Sequence, residues 1–177
     1  MTGLAVPTPA SVVPGGYDTA ALWNANVYNG LQFLLNPPLF EGYQSAAQSV
    51  ANGSVTAIGI DTTTIDTYGG HSNTTNNSRY TCQTGAAGWY QVIACLGFAA
   101  NANGSRALEL HKNGTVIKLG YDGSDNTRID IAGALQATAL IQLAVGDYVE
   151  AFAYQTSGGS LATNAVATGM TVIWKHA

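Results

Sequence analysis

"LQATALIQLAVGDYVEAFAY", residues 135–154, carries two different strand patterns joined by one turn. In its first half Leu135, Ala137, Ala139, Ile141 and Leu143 alternate with Gln136, Thr138 and Gln142. That period of two marks a strand with one face in a core. Gly146-Asp147 supplies the turn. In the second half both faces are apolar. Val149, Ala151 and Ala153 make one, and Tyr148, Phe152 and Tyr154 make the other, interrupted by Glu150. "GWYQVIACLGF", residues 88–98, does the same: Trp89, Ile93, Cys95 and Gly97 oppose Tyr90, Val92, Leu96 and Phe98. A sandwich strand needs one apolar face, so the second asks for a cover. A closed homo-oligomer provides it, and aromatic side chains are enriched at interface cores. The expected assembly is a homotrimer, with Tyr90, Phe98, Tyr148, Phe152 and Tyr154 at the interface.

The same reading extends through residues 39–177. In "RALELHK" Leu108 and Leu110 face one way, and Glu109 and His111 the other. Ile117 and Leu119 are expected to continue the inward face, and "TGMTVIWKHA" alternates again over Met170, Val172 and Trp174. Asn52-Gly53, the recurring "ANGS" at 102–105 and Asn113-Gly114 suit tight hairpin turns with positive φ. Eight to ten strands with short turns and no βαβ unit predict an all-β sandwich, jelly roll or barrel. "TYGGHSNTTNNS", 67–78, reads as a long polar loop.

All five prolines fall in the first 38 residues. Residues 1–17 read as an extended arm, because proline and glycine do not sustain a helix there. Asp18 or Thr19 can cap a helix. Its apolar residues Ala20, Trp23, Val27, Leu31 and Leu34 recur at steps of three or four, and Asn36-Pro37-Pro38 ends it. The chain thus divides into an arm (1–17), an amphipathic anchor helix (18–38) and a β-domain (39–177). The helical stripe can pack on the β-domain or on a partner. The arm, with little of its own to pack, favours a partner.

Composition narrows the function. Charged residues make up 9% of the 177, and the net charge is −4. The six basic residues are scattered, which excludes a nucleic-acid stripe. No run of 18 apolar residues occurs, which argues against a membrane span. The first residues lack the basic and apolar regions of a secretory signal, so synthesis in a cytoplasm is expected. Cys82 and Cys95 then read as small core residues with free thiols, their pairing left open.

Three pieces in order resemble one family: Gly88-Trp89-Tyr90, Lys112-Asn113-Gly114 and Leu143-Ala144-Val145-Gly146-Asp147-Tyr148-Val149. They are similar to the Gly-x-Tyr, Lys-Asn-Gly and Leu-x-x-Gly-Asp-x-Val pattern of the tumour necrosis factor and complement globular-head domains. The resemblance covers about residues 42–177. It implies a ten-stranded jelly roll that trimerises around a conical apolar axis. The stretch "TAALWNANVYNGLQFLLNPP" followed by "AQSVANGS" resembles a second group, small virion proteins (minor tail proteins) of tailed phages that infect actinobacteria. That resemblance implies an N-terminal segment attached to the virion, tail more than capsid, and an exposed jelly-roll knob.

Chemistry is poorly represented. His71, His111 and His176 lack metal-ligand spacing with one another or with Cys or carboxylates. "YDGSDNTRID" resembles a calcium loop loosely and reads as a polar turn. No cofactor and no catalytic residue is expected. The expected function is a trimeric virion structural protein, docked through Trp23, Val27, Leu31 and Leu34. Tyr68 and His71 in one loop and Tyr121, Asp122 and Asp125 in another are the candidate contacts to host-surface carbohydrate. Capsid decoration or a head fibre is the alternative, and a depolymerase the third reading.

Overall fold

The structure is a computed structural model of the chain and describes residues 4–8, 15–16, 19–125 and 134–177. Among these, eleven strands follow one helical segment. The strands are β1 (Leu39–Tyr43), β2 (Ser49–Val50), β3 (Thr56–Ala57), β4 (Thr62–Asp66), β5 (Arg79–Thr81) and β6 (Gly88–Phe98). They continue with β7 (Ser105–Lys112), β8 (Thr115–Asp125), β9 (Ala134–Leu143), β10 (Tyr148–Gln155) and β11 (Leu161–His176). They form two antiparallel sheets. The first runs β4-β1-β11-β6-β9, with β2 added on β11. The second runs β3-β10-β7-β8, with β5 added on β10. This is the expected jelly-roll sandwich.

The alternation at 135–143 holds: Leu135, Ala137, Ala139 and Leu143 are buried, while Gln136, Thr138, Leu140 and Gln142 face out. Their β6 partners follow suit, since Ala137 lies opposite Ala94 and Ala139 opposite Val92. Phe40, Tyr90, Val92, Leu96, Met170 and Val172 of the first sheet meet Leu108, Leu110, Val149 and Ala153 of the second in one core.

Two sequence expectations fail in instructive ways. The turn at Asn52-Gly53 forms, with Gly53 at φ 71°. It joins no hairpin, however: β2 pairs with β11 and β3 with β10, so the turn carries the chain between sheets. Leu119 does not continue the inward face. It sits at φ 66° and is 90% exposed, in a bulge where the β7–β8 register slips. Gly120 permits the close approach of β8 to β7 there, since a Cβ at this position would lie 2.8 Å from Leu110 Cβ. A bulge of this kind on an edge strand blunts pairing with foreign strands.

The Asn113-Gly114 hairpin between β7 and β8 forms as read, with φ of 50° and 79°. It is tied to the β9–β10 turn. Asn113 Nδ2 donates to Asp147 Oδ1 at 2.8 Å, and Lys112 Nζ stands 2.7 Å from Asp147 Oδ2. The hydrogen bonds from Lys112, Asn113 and the Ala144 N–H hold the Asp147 carboxyl down at about 2. A depressed carboxyl stabilises the fold above its unfolded pKa of about 3.9, and this stabilisation is lost as pH falls through the folded value. Asp147→Asn is therefore expected to lower the melting temperature at pH 6. The gap to wild type should close between pH 4 and about 2. A gap that stays constant across that window would refute the assignment.

The helical segment is not a uniform helix. An α-turn (Ala20–Trp23), capped by Thr19 Oγ1 at 3.2 Å from the Leu22 N–H, passes into a π-helical stretch (Asn24–Tyr28) and then an α-helix (Asn29–Leu35). Asp18, the other candidate cap, lies outside the described residues. The wider π turn rotates everything after it. Phe33, which the sequence stripe omits, becomes the buried anchor. It is 1% exposed and packs edge-on against Trp174 at 4.8 Å and Tyr68 at 6.5 Å. The arm also packs where it is described: Val6 N–H donates to Gly85 O, and Tyr68 Oη donates to Leu4 O at 2.6 Å. The helix, with Leu4 and Val6 of the arm, thus packs at one end of the sandwich.

Candidate functional site

The sandwich leaves one sheet face without cover. On the outward side of the first sheet the register lines up Ile173, Gln91 and Leu140 in one row and Thr171, Ile93 and Thr138 in the next. Leu39 lies beside Ile173, and Ile65 beside Glu41. Leu140 is 61% exposed, Ile65 40% and Trp89 38%. Among the described residues Glu41 and, at the rim, Lys175 are the charged groups this face carries. β-branched and aliphatic side chains in adjacent rows form a largely apolar strip, broken by Gln91 and Glu41, and such strips mark interaction surfaces.

The outward face of the second sheet differs, because its own side chains close over it. The Arg79 guanidinium lies 4.1 Å above the Tyr148 ring, and its Nε stands 3.0 Å from Glu150 Oε1. Ser78 Oγ donates to the same oxygen at 2.6 Å. His111 stacks on Phe152 at 4.1 Å, with Nε2 2.9 Å from Glu109 Oε2. Glu150 is thereby buried but paired, which is how a carboxylate is kept inside a protein.

These placements revise the interface expected from sequence. Tyr90 and Phe98 belong to the interior, at 0% and 2% exposure. They fill the sandwich and have no surface left for a second copy. The uncovered face of β6 is the opposite one, Trp89, Ile93 and Cys95. Tyr148, Phe152 and Tyr154 are half-buried on the second sheet's outer face, the first two beneath Arg79 and His111. Cys82 is buried and Cys95 exposed, both as free thiols.

The carbohydrate candidates are not brought together. Tyr68 is buried, its hydroxyl spent on Leu4 O. His71 has Nδ1 2.7 Å from Arg79 O and Nε2 3.0 Å from Ile60 O, so both ring nitrogens face the protein's own backbone. These two residues serve to hold the polar loop down. Tyr121 is exposed on β8, at the far edge of the second sheet, and Asp122 Oδ2 accepts the Gln136 N–H at 2.9 Å. Asp122 therefore ties β8 to β9. The Asp125 side chain, like Asp130, lies outside the described residues. Among the described residues no three of His, Cys, Asp and Glu gather as metal ligands would, and no helix is long and apolar enough to cross a membrane.

The docking stripe stays open to solvent. Trp23 is 59% exposed, Leu31 55% and Leu34 67%, with Val27 half-buried. The helix spends Phe33 on the β-domain and presents the rest outward.

No protein-family model matches the chain, and no curated protein does. Solved structures do. The globular domain of zebrafish complement 1qA protein superposes with a TM-score of 0.56 at 12% identity, over 78% of this chain and 98% of that one. The fold is the tumour-necrosis-factor jelly roll. Murine APRIL matches at 0.58 and 10% identity, over 78% of this chain and 98% of its own. The Eiger TNF of S. frugiperda matches at 0.57 and 10% identity, over 78% of this chain and 93% of its own. Each likeness is one of fold, carried by the β-domain.

Proposed function

We propose that the chain is the non-enzymatic, homotrimeric knob of a phage virion protein, attached through its N-terminal segment and turned toward the host surface. The observation that carries the self-association is the uncovered strip of Ile65, Leu39, Ile173, Ile93 and Leu140 across the first sheet. A hydrophobic strip on a chain with 9% charged residues finds its cover most economically in copies of itself. The trimer number comes from the sequence pattern shared with the tumour necrosis factor and complement globular domains. The virion setting comes from the resemblance of residues 19–54 to phage minor tail proteins. It is supported by a helix that leaves Trp23, Leu31 and Leu34 exposed after docking on its own domain.

Multi-angle light scattering on the purified chain should return three times the 18.3 kDa subunit mass at micromolar concentration; a monomer there would overturn the assembly. Replacing Trp23 and Leu31 by Asp should leave a folded trimer that is missing from purified particles. Immunogold labelling with an antibody to residues 41–177 then places the knob. Label at the tail tip supports host contact, and label over the head supports a capsid decoration or head-fibre role.

A further inference from the structure

With Tyr68 and His71 occupied by the fold, a different surface remains for a polar ligand. A groove of about 490 Å³ opens between the β1–β2 connection and the segments at 57–61 and 77–78. Its lining is small and polar: Ala47, Ala57 and Gly59 lie in it together with Asp61, Asn77 and Ser78. The residues around the groove are fixed from behind. Gln48 Nε2 donates to Ala57 O at 2.8 Å, and its Oε1 accepts the Gly59 N–H at 3.0 Å. Ser78 Oγ is held by the buried Glu150.

Two groups in this groove are placed to meet a polar ligand. Asp61 accepts the Ser45 N–H at 2.7 Å, the Ser45 hydroxyl at 3.0 Å and the Thr62 hydroxyl at 3.1 Å. Partial burial opposes its ionisation, but these bonds outweigh it and hold the carboxyl below its ordinary range. The bonds from Ser45 and Thr62, with one from its own backbone N–H, hold the carboxylate in a fixed orientation at the groove, where a ligand hydroxyl would share its oxygens. The side-chain amide of Asn77 makes no hydrogen bond to any described residue. It lies over Gly59, where a Cβ would stand 3.2 Å from Nδ2, so the absence of a side chain at 59 is what gives the amide its place. The Asn77 amide therefore offers two donors and an acceptor.

We propose that this groove binds a saccharide, with hydroxyls of one sugar ring bridging the Asp61 carboxylate and the Asn77 amide. A hydroxyl both donates and accepts, which a fixed acceptor beside an amide can satisfy in pairs, and the small alanine and glycine lining leaves room for the C–H face of a ring. A metal ion fits poorly, since a single carboxylate lines the groove. The groove's lining comes from none of the outward rows of β6, β9 and β11. The inference rests on the reading of the chain as a knob exposed to a glycan-bearing surface. Repetition of the groove on each subunit would raise weak single-site binding to useful avidity.

The test uses the full chain on an array of neutral and acidic saccharides of one to six units. Titration calorimetry with the best retained saccharide then compares wild type, Asn77→Ala and Ala47→Trp. Loss of the amide is expected to weaken binding about tenfold, and the tryptophan to abolish it by filling the groove. Melting temperature and light-scattering mass should be unchanged in both. Retention that neither variant alters would remove the groove from recognition and leave the knob reading intact. An array that retains no saccharide also overturns the inference, while the light-scattering and particle-labelling results decide the knob reading separately.

Discussion

The double variant Ile93→Asp, Leu140→Asp is expected to run as a folded monomer, in contrast to the trimer proposed for the wild-type chain. Both side chains point away from the core, on adjacent rows of the first sheet, so a carboxylate at either position is solvated in the isolated subunit. At a covered interface it is stripped of water without a partner, which costs several kcal/mol per group. The apparent association constant should fall by at least about a thousandfold. Far-ultraviolet dichroism should stay that of a β-sandwich. Thr138→Arg, at an exposed position opposite Ile93, should reproduce the dissociation without touching any packed side chain. A double variant that remains trimeric would show that another surface holds the copies together.

Phe33→Ala carries the second large effect. A fully buried phenylalanine truncated to alanine costs about 3–5 kcal/mol, and here the loss falls on the attachment of the helix. The sandwich core is built from strands and needs Phe33 only at one end. The expected result is release of the segment before β1, followed by cleavage with chymotrypsin at Trp23 and Tyr28. Trypsin would report nothing, because no Lys or Arg precedes Arg79. Trp174, which loses its edge-on partner, should shift its emission to the red; Trp23 and Trp89 are already partly exposed. The product should be a resistant fragment close to residues 39–177. A variant that instead loses its whole cooperative transition would make the helix a part of the core.

The alternation at 135–143 and the hairpin at Asn113-Gly114 were enough to predict an all-β sandwich, jelly roll or barrel, because a period of two is a local property; the resemblance carried by the three motif pieces narrowed it to the jelly roll. What stayed hidden was relational. In β6 the pattern shows two apolar faces but not which one meets the other sheet, and the choice of Tyr90 and Phe98 as surface residues fell on the wrong side of that ambiguity. Phe33 was missed because a 3.6-residue wheel has no way to register a π-helical stretch, whose extra width turns the face. Tyr68 and His71 looked free because their loop is polar; their partners, Leu4 O, Arg79 O and Ile60 O, lie in segments whose approach only the fold reveals. Asn77 and Asp61 are sixteen positions apart in unremarkable polar sequence, and nothing local marks them as neighbours.

The order of strands in the first sheet bears on how the chain is made. β11, residues 161–176, is the middle of that sheet and hydrogen-bonds β1 on one side and β6 on the other. While a ribosome is still short of these residues, β1 and β6 have no bridge between them, and two apolar edges stand open. Pairing over such sequence separation is slow and leaves nascent chains prone to aggregation. A chain stalled at the β10–β11 connection would lack the strand that closes its own sheet. If copies meet through the first sheet as proposed, assembly would sort chains that carry β11 from those interrupted before it without a separate inspection step, because the outward rows of that sheet are complete only once β11 is in place.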